Sequence, residues 1–170
     1  MVVHALSNDK DKGGVTGMAV YNSDGEFIAS YPMPVGSGGD GYGYDLAVNP
    51  RKNVMLTSSF TGYANYMRPL GDLIKDEAAM KRFGNTMVAW DLKAMKPTNV
   101  MSVPGAPLEI RWSLNPGENW AVTAAALTSK LWLVQQDAQG KWQAKEVATI
   151  VWPKRFIAAS SLMSSPSGRM

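Results

Sequence analysis

The chain reads as an all-β protein built from repeated four-stranded antiparallel units of the β-propeller kind, with one helical insertion near residues 71–84. Two observations predict this. Residues 47–59, A-V-N-P-R-K-N-V-M-L-T-S-S, align with residues 113–125, S-L-N-P-G-E-N-W-A-V-T-A-A, so that Asn, Pro and Asn recur at the same offsets before a strand of small and apolar residues. Short alternating or β-branched runs, separated by turn-forming residues, also recur about four times per ~40–50 residues, the period of propeller blades.

Taken in order, residues 1–7 (M-V-V-H-A-L-S) alternate as a strand, and the glycine-containing 8–14 form a polar loop. Strands at 17–21 and 26–31 flank N-S-D-G, a hairpin turn whose glycine readily takes φ > 0. The glycine-rich 35–43 read as a loop; they lack the lysine and following helix of a phosphate loop. A second cycle places strands at 44–48, 54–60, 86–92 and 98–103, and a third places them at 108–114, 120–126, 131–135 and 142–150. The expected organisation is an incomplete blade over 1–34, a blade over 44–103 interrupted by 61–85, a blade over 108–150, and a basic tail over 151–170. A fainter third copy of the repeat, M-S-S-P-S-G-R-M, falls in that tail around Pro166. Propellers close with about four to eight blades so that no long edge stays bare. About three blades therefore suggest a piece of a longer chain, or a repeat protein that associates through its open edges.

Within the insertion, residues 71–84 carry Asp72 as an N-cap candidate and Gly84 as a stop. Early acids, the late Lys81 and Arg82, and a Glu77–Lys81 pair at i,i+4 all suit a helix.

Composition excludes several function classes. The sequence has a net charge of +3, and Lys154, Arg155 and Arg169 in the acid-free tail account for it. A neutral body without a basic stripe does not suit nucleic-acid backbones. No apolar run approaches the ~20 residues of a membrane span, and S-N-D-K-D-K directly after residue 6 does not read as a signal peptide. With no cysteine, disulfides and thiolate chemistry within these residues are ruled out.

Few residues suggest chemistry. His4 is the one histidine, readable as a satisfied strand residue or as one contributor to a metal site. Asp9, Asp11 and Gly13 resemble the start of a calcium loop, but Val20 stands where the closing glutamate belongs, so a polar loop is the expectation. Glu109 and Arg111 lie one residue apart on a strand and share a face, with Ile110 and Trp112 opposite. They form either a structural ion pair or, with Asp45 on the equivalent first strand, a lining of the central channel.

Several ordered motifs carry a family resemblance: G-Y-G-Y-D, N-P-R-K-N-V-M-L-T-S-S-F, T-G-Y-A-N-Y-M-R-P-L-G-D-L-I-K-D, M-V-A-W-D-L, A-P-L-E-I-R-W and A-A-L-T-S-K-L-W-L. Over residues 1–150 the chain resembles the selenium-binding protein family, and within it the bacterial methanethiol oxidases. The resemblance implies a seven-bladed propeller and a copper-dependent oxidation. In that reaction methanethiol, oxygen and water give formaldehyde, hydrogen sulfide and hydrogen peroxide. It also implies a capacity for selenium binding, and a periplasmic location as in the bacterial members, with the cytoplasm of animal relatives as the alternative. The family's histidine-rich segments and cysteine region fall mostly outside this sequence, so an incomplete copper site and an inactive fragment are expected. The tail departs from the family pattern, which weakens the third repeat copy. A non-catalytic selenium- or thiol-binding propeller, or one that docks protein partners, is the alternative function.

Overall fold

A computed structural model describes residues 1–10 and 14–151. Asp11 and Gly13 of the polar loop, the repeat copy around Pro166 and nearly all of the basic tail lie outside the described residues.

Strands β1 (Val2–His4), β2 (Gly17–Tyr21) and β3 (Phe27–Pro32) form a three-stranded sheet in chain order. A small ribbon, β4 (Val35–Gly36) with β5 (Gly39–Asp40), follows. Next comes a four-stranded sheet of β6 (Leu46–Asn49), β7 (Val54–Ser58), β8 (Thr86–Asp91) and β9 (Lys96–Ser102). A second four-stranded sheet contains β10 (Pro107–Trp112), β11 (Trp120–Ala125), β12 (Lys130–Gln136) and β13 (Trp142–Thr149). Within each sheet every strand pairs antiparallel with its neighbour in sequence, so all four sheets are simple meanders. The expected strands are present with ends shifted by a few residues. The β4–β5 ribbon falls inside the stretch read as a loop. Its positive-φ residues Gly36, Ser37 and Gly38 make the tight reversal that periodicity does not reveal.

The repeated Asn-Pro turn has a shared physical role. In the first copy Pro50 opens a single 3-10 turn, Pro50–Lys52, that ends with Asn53 in the left-handed region at φ 53. Asn53 then accepts the Lys93 N–H on its side chain (2.9 Å) and the Leu92 N–H on its carbonyl (3.2 Å), tying the β6–β7 turn to the β8–β9 turn. In the second copy Asn115 closes its own turn by accepting from the Gly117 N–H (3.0 Å), while Asn119 donates to Gln136 Oε1 (2.8 Å) at the end of β12. In both sheets the second asparagine links the first hairpin to the end of the third strand.

Sheet β6–β9 is covered on both faces. Leu56, Met87 and Ala89 pack with Ile110, Ala121, Val134 and Trp142 of the last sheet. The alternate residues Met55, Val88 and Trp90 pack with Met18 and Met33 from the N-terminal side. Strand side chains alternate between faces, so two-sided burial requires the nearly continuous apolar runs V-M-L and T-M-V-A-W. Trp90 keeps its polar edge satisfied there by donating to Thr57 Oγ1 at 3.0 Å.

The insertion is not one helix over 71–84. It holds three single turns, α1 (Tyr63–Tyr66), α2 (Leu70–Leu73) and α3 (Glu77–Met80). Asp72 lies inside α2 and is not its N-cap. The side-chain cap is Asp76, which accepts from the Ala79 N–H (2.9 Å) and pairs with Arg68 (2.8 Å), and this competing side-chain bond breaks the helix after α2. No ion pair joins Glu77 and Lys81 among the described residues. Gly84 is required by close approach rather than as a helix stop, because a Cβ there would collide with the Ser59 side chain. Buried Asn65 holds the turns together by donating to Thr61 Oγ1 (2.9 Å) and the Ala79 carbonyl (3.0 Å) and accepting from Arg82 (3.1 Å).

Replacing fully buried Leu56 with alanine is expected to cost about 2–5 kcal/mol in urea denaturation. Val48→Ala, at an exposed position one strand away, should change stability by less than about 1 kcal/mol.

Candidate functional site

The sequence-selected residues His4, Asp45, Glu109 and Arg111 come together where the three sheets meet. Asp45 is the hub. It stands immediately before β6, and its carboxylate accepts from the Leu46 N–H (2.9 Å) on Oδ1 and from the Ile110 N–H (2.8 Å) on Oδ2. Strand β10 is the edge of its sheet, and its register with β11 shifts between Pro107 and Ile110. Asp45 therefore satisfies an edge N–H that would otherwise be left without a strand partner.

Arg111 folds back over this junction. Its guanidinium pairs with Glu109 and reaches Asp45 Oδ2 at 3.5 Å, and it donates to the Ile110 carbonyl at 2.9 Å. The shared face expected for Glu109 and Arg111 is present, with Ile110 buried beneath them. The ion pair is solvent-facing, since the Arg111 side chain is 65% exposed. Such a pair contributes little to stability, yet it leaves two carboxylates and one guanidinium concentrated on one surface.

Behind the charges lies a serine bridge. Ser58 Oγ donates to the Leu108 carbonyl (2.6 Å) and accepts from the Asp45 N–H (3.2 Å), joining β7 to both first strands. Ser59 donates to Asp40 (3.0 Å), which also accepts from the Asn85 N–H (2.8 Å). Neither serine stood out in the sequence, but the repeat held a signal: Ser58 and Ser59 occupy the positions of Ala124 and Ala125 in the second copy.

His4 sits on β1 with its ring turned to this junction. Nδ1 lies 3.3 Å from the Asp45 carbonyl, which can only accept, so Nδ1 carries the proton and Nε2 the lone pair. Nε2 is buried and has no hydrogen-bond partner. It faces Gly43, where a Cβ would collide with the imidazole, so the glycine gives the ring its place. Burial pushes the His4 pKa down, partly offset by the Asp45 carbonyl and charge. Burial also raises the Tyr44 phenol, followed by the Glu109 and Asp45 charges, so Tyr44 is neutral and able to donate at neutral pH.

These residues do not fit a complete copper site. A transition metal needs several converging donors, and among the described residues no group of three His, Cys, Asp or Glu side chains is placed to hold a metal ion. The free nitrogen of His4 closes on Gly43 instead of on a second donor.

A family model for the 56kDa selenium binding protein (SBP56) matches residues 1–166. The chain belongs to that family. Within the 56kDa selenium binding protein family, a methanethiol oxidase from Hyphomicrobium sp is 62% identical over 156 residues, spanning 92% of this chain and 36% of that protein. Another from Ruegeria pomeroyi is 52% identical over 161 residues, spanning 88% of this chain and 37% of the relative. The chain thus spans little more than a third of these relatives. The X-ray structure of a hypothetical selenium-binding protein from Sulfolobus tokodaii superposes with a TM-score of 0.71 at 21% identity, over 86% of this chain and 32% of that one. That likeness supports the fold.

Asp45→Ala should cost roughly 1–3 kcal/mol in denaturation experiments by orphaning the Ile110 and Leu46 N–H groups. Arg111→Ala should cost less than about 1 kcal/mol. Because His4 is the one histidine, its imidazole proton resonances report a single titration, expected below the ordinary ~6.5. The sign follows from linkage: below the ordinary value the unfolded chain binds the proton more readily. Stability from this group is therefore present above about pH 6.5 and declines as pH falls toward the depressed folded value. His4→Gln should remove that part of the pH slope.

Proposed function

We propose that the protein these residues belong to is a methanethiol oxidase whose meanders are consecutive blades of a seven-bladed propeller. The observation that carries this reading is the 62% identity with a methanethiol oxidase over 92% of this chain. In the balanced reaction one methanethiol, one dioxygen and one water give one formaldehyde, one hydrogen sulfide and one hydrogen peroxide. The methyl carbon is oxidised by two electrons, its bond to sulfur breaks, and dioxygen takes the electrons as peroxide. Copper would supply the electron-transfer chemistry that side chains lack, with donors from outside the described residues.

The role for the present residues is to build the wall of the central channel. Asp45, immediately before β6, and Glu109 and Arg111 on β10 line it, and Asp45 fixes the spacing of those two first strands. Tyr44 offers a neutral phenol beside the carboxylates, a donor that remains protonated at neutral pH.

The family's description as selenium-binding favours a second reading, a non-catalytic selenium- or thiol-binding propeller. The absence of cysteine argues against covalent capture of selenium by these residues.

The test is to assay hydrogen peroxide and sulfide released from methanethiol by the full-length protein, with and without a copper chelator. Chelator-sensitive release supports the oxidase, whereas selenite binding without turnover supports the second reading. The 170-residue chain alone should bind copper weakly and release neither product. Stoichiometric tight copper binding with turnover would contradict the assignment of the copper donors to other residues.

A further inference from the structure

The insertion turns one set of apolar side chains inward and a second set out to solvent. Leu73, Ala79 and Phe83 are buried and form a small core with Ala106. Tyr63, Met67, Leu70 and Ile74 are instead 43%, 58%, 51% and 37% exposed. These four recur at intervals of four, three and four residues, the spacing of one helical face, across α1 and α2.

The outward set is continuous with a recess. Leu70 and Ile74 also line an apolar cavity of about 230 Å3, whose wall includes Phe60, Tyr66, Phe83 and Leu127. Tyr63 rests against Tyr66 with ring centroids 5.5 Å apart. Single exposed apolar residues are ordinary, but a contiguous group on one surface element marks an interaction site.

The charges around this face select its partner. Residues 61–85 carry Arg68, Lys75, Lys81 and Arg82 against Asp72, Asp76 and Glu77. Arg68 pairs with Asp76 (2.8 Å), and Arg82 donates to Asn65 (3.1 Å). Lys75, Lys81, Asp72 and Glu77, two of each sign, make no ion pair among the described residues. An anionic lipid surface or a nucleic acid calls for an excess of cations, and this face has none. A face with equal numbers of unpaired acids and bases is complementary to itself, because a two-fold axis sets residue i against j and j against i.

We propose that the outward face of the insertion, Tyr63, Met67, Leu70 and Ile74, binds the same face of a second copy of the protein about a two-fold axis. Met67 and Leu70 of one copy cover the apolar recess of the other, and Asp72 and Glu77 meet the partner's Lys75 and Lys81. Opposite charges on the two faces also fix the register of the contact. None of this rests on the oxidase reading.

The full-length protein should sediment as a dimer, or as an even-numbered assembly built from dimers. Met67→Glu and Leu70→Glu, both at exposed positions, should each weaken that association at least about tenfold while circular dichroism stays unchanged. Val48→Glu, at an exposed position of β6 outside the insertion, should leave it intact. Asp72→Lys with Glu77→Lys, or Lys75→Glu with Lys81→Glu, should each disrupt the contact. The fourfold variant, with all four signs exchanged, should associate with itself again but form no mixed dimer with labelled wild-type protein. A monomer at every concentration, an assembly unaffected by both Met67→Glu and Leu70→Glu, or a fourfold variant that stays dissociated overturns the proposal. A Leu70→Glu protein that unfolds places this face inside the full-length molecule and overturns it too. Vesicles of phosphatidylcholine and phosphatidylserine test the other occupant: binding by a monomer that Leu70→Glu abolishes assigns the face to lipid and overturns the pairing.

Discussion

The packing of the described residues depends on one sheet being buried from both sides. Strands β7 and β8 send Leu56, Met87 and Ala89 into one core and Met55, Val88 and Trp90 into another. A sheet covered on both faces cannot slide by one residue, because a slip would exchange the two sets of side chains. The small residues Ala89, Ala121 and Ala125 in the larger core let the last two sheets approach closely. The position of every first strand, and of the charges on it, follows from that packing.

The junction around Asp45 is the polar counterpart of those cores. A carboxylate that accepts from backbone N–H groups of two sheets acts as a spacer between them, and hydrogen bonds to a charged acceptor are stronger than neutral ones. Ser58 adds a second bridge between the same strands, and His4 adds a third from β1. The surface charges Glu109 and Arg111 are thus carried on a frame whose geometry their own ion pair does not determine. Such a frame can present charge at the surface without depending on that charge for stability.

The helical turns show how a rim insertion acquires shape without a regular helix. Asp76 caps the third turn, Asn65 bonds to buried polar groups of the insertion, and its apolar residues collect around Phe60 and Phe83. The resulting cavity is lined by Phe60, which follows directly on the Ser58–Ser59 bridge.

Sequence alone determined the strand order, the antiparallel pairing and the repeat, because period-two alternation and turn residues such as Asn53 and Gly25 act over a few neighbouring positions. It also established the common face of Glu109 and Arg111, which strand geometry imposes locally, and the family, through ordered motifs. Only the tertiary structure decided that Asp45 reaches Ile110 across 65 residues, that His4 turns its free nitrogen onto Gly43, and that Asp76 rather than Asp72 caps a helical turn. These outcomes depend on which side chains meet after the sheets stack, and no local periodicity encodes a contact between distant strands. The aromatic cavity is of the same kind: Phe60, Tyr66, Phe83 and Leu127 become its wall only once the insertion folds back over the last sheet.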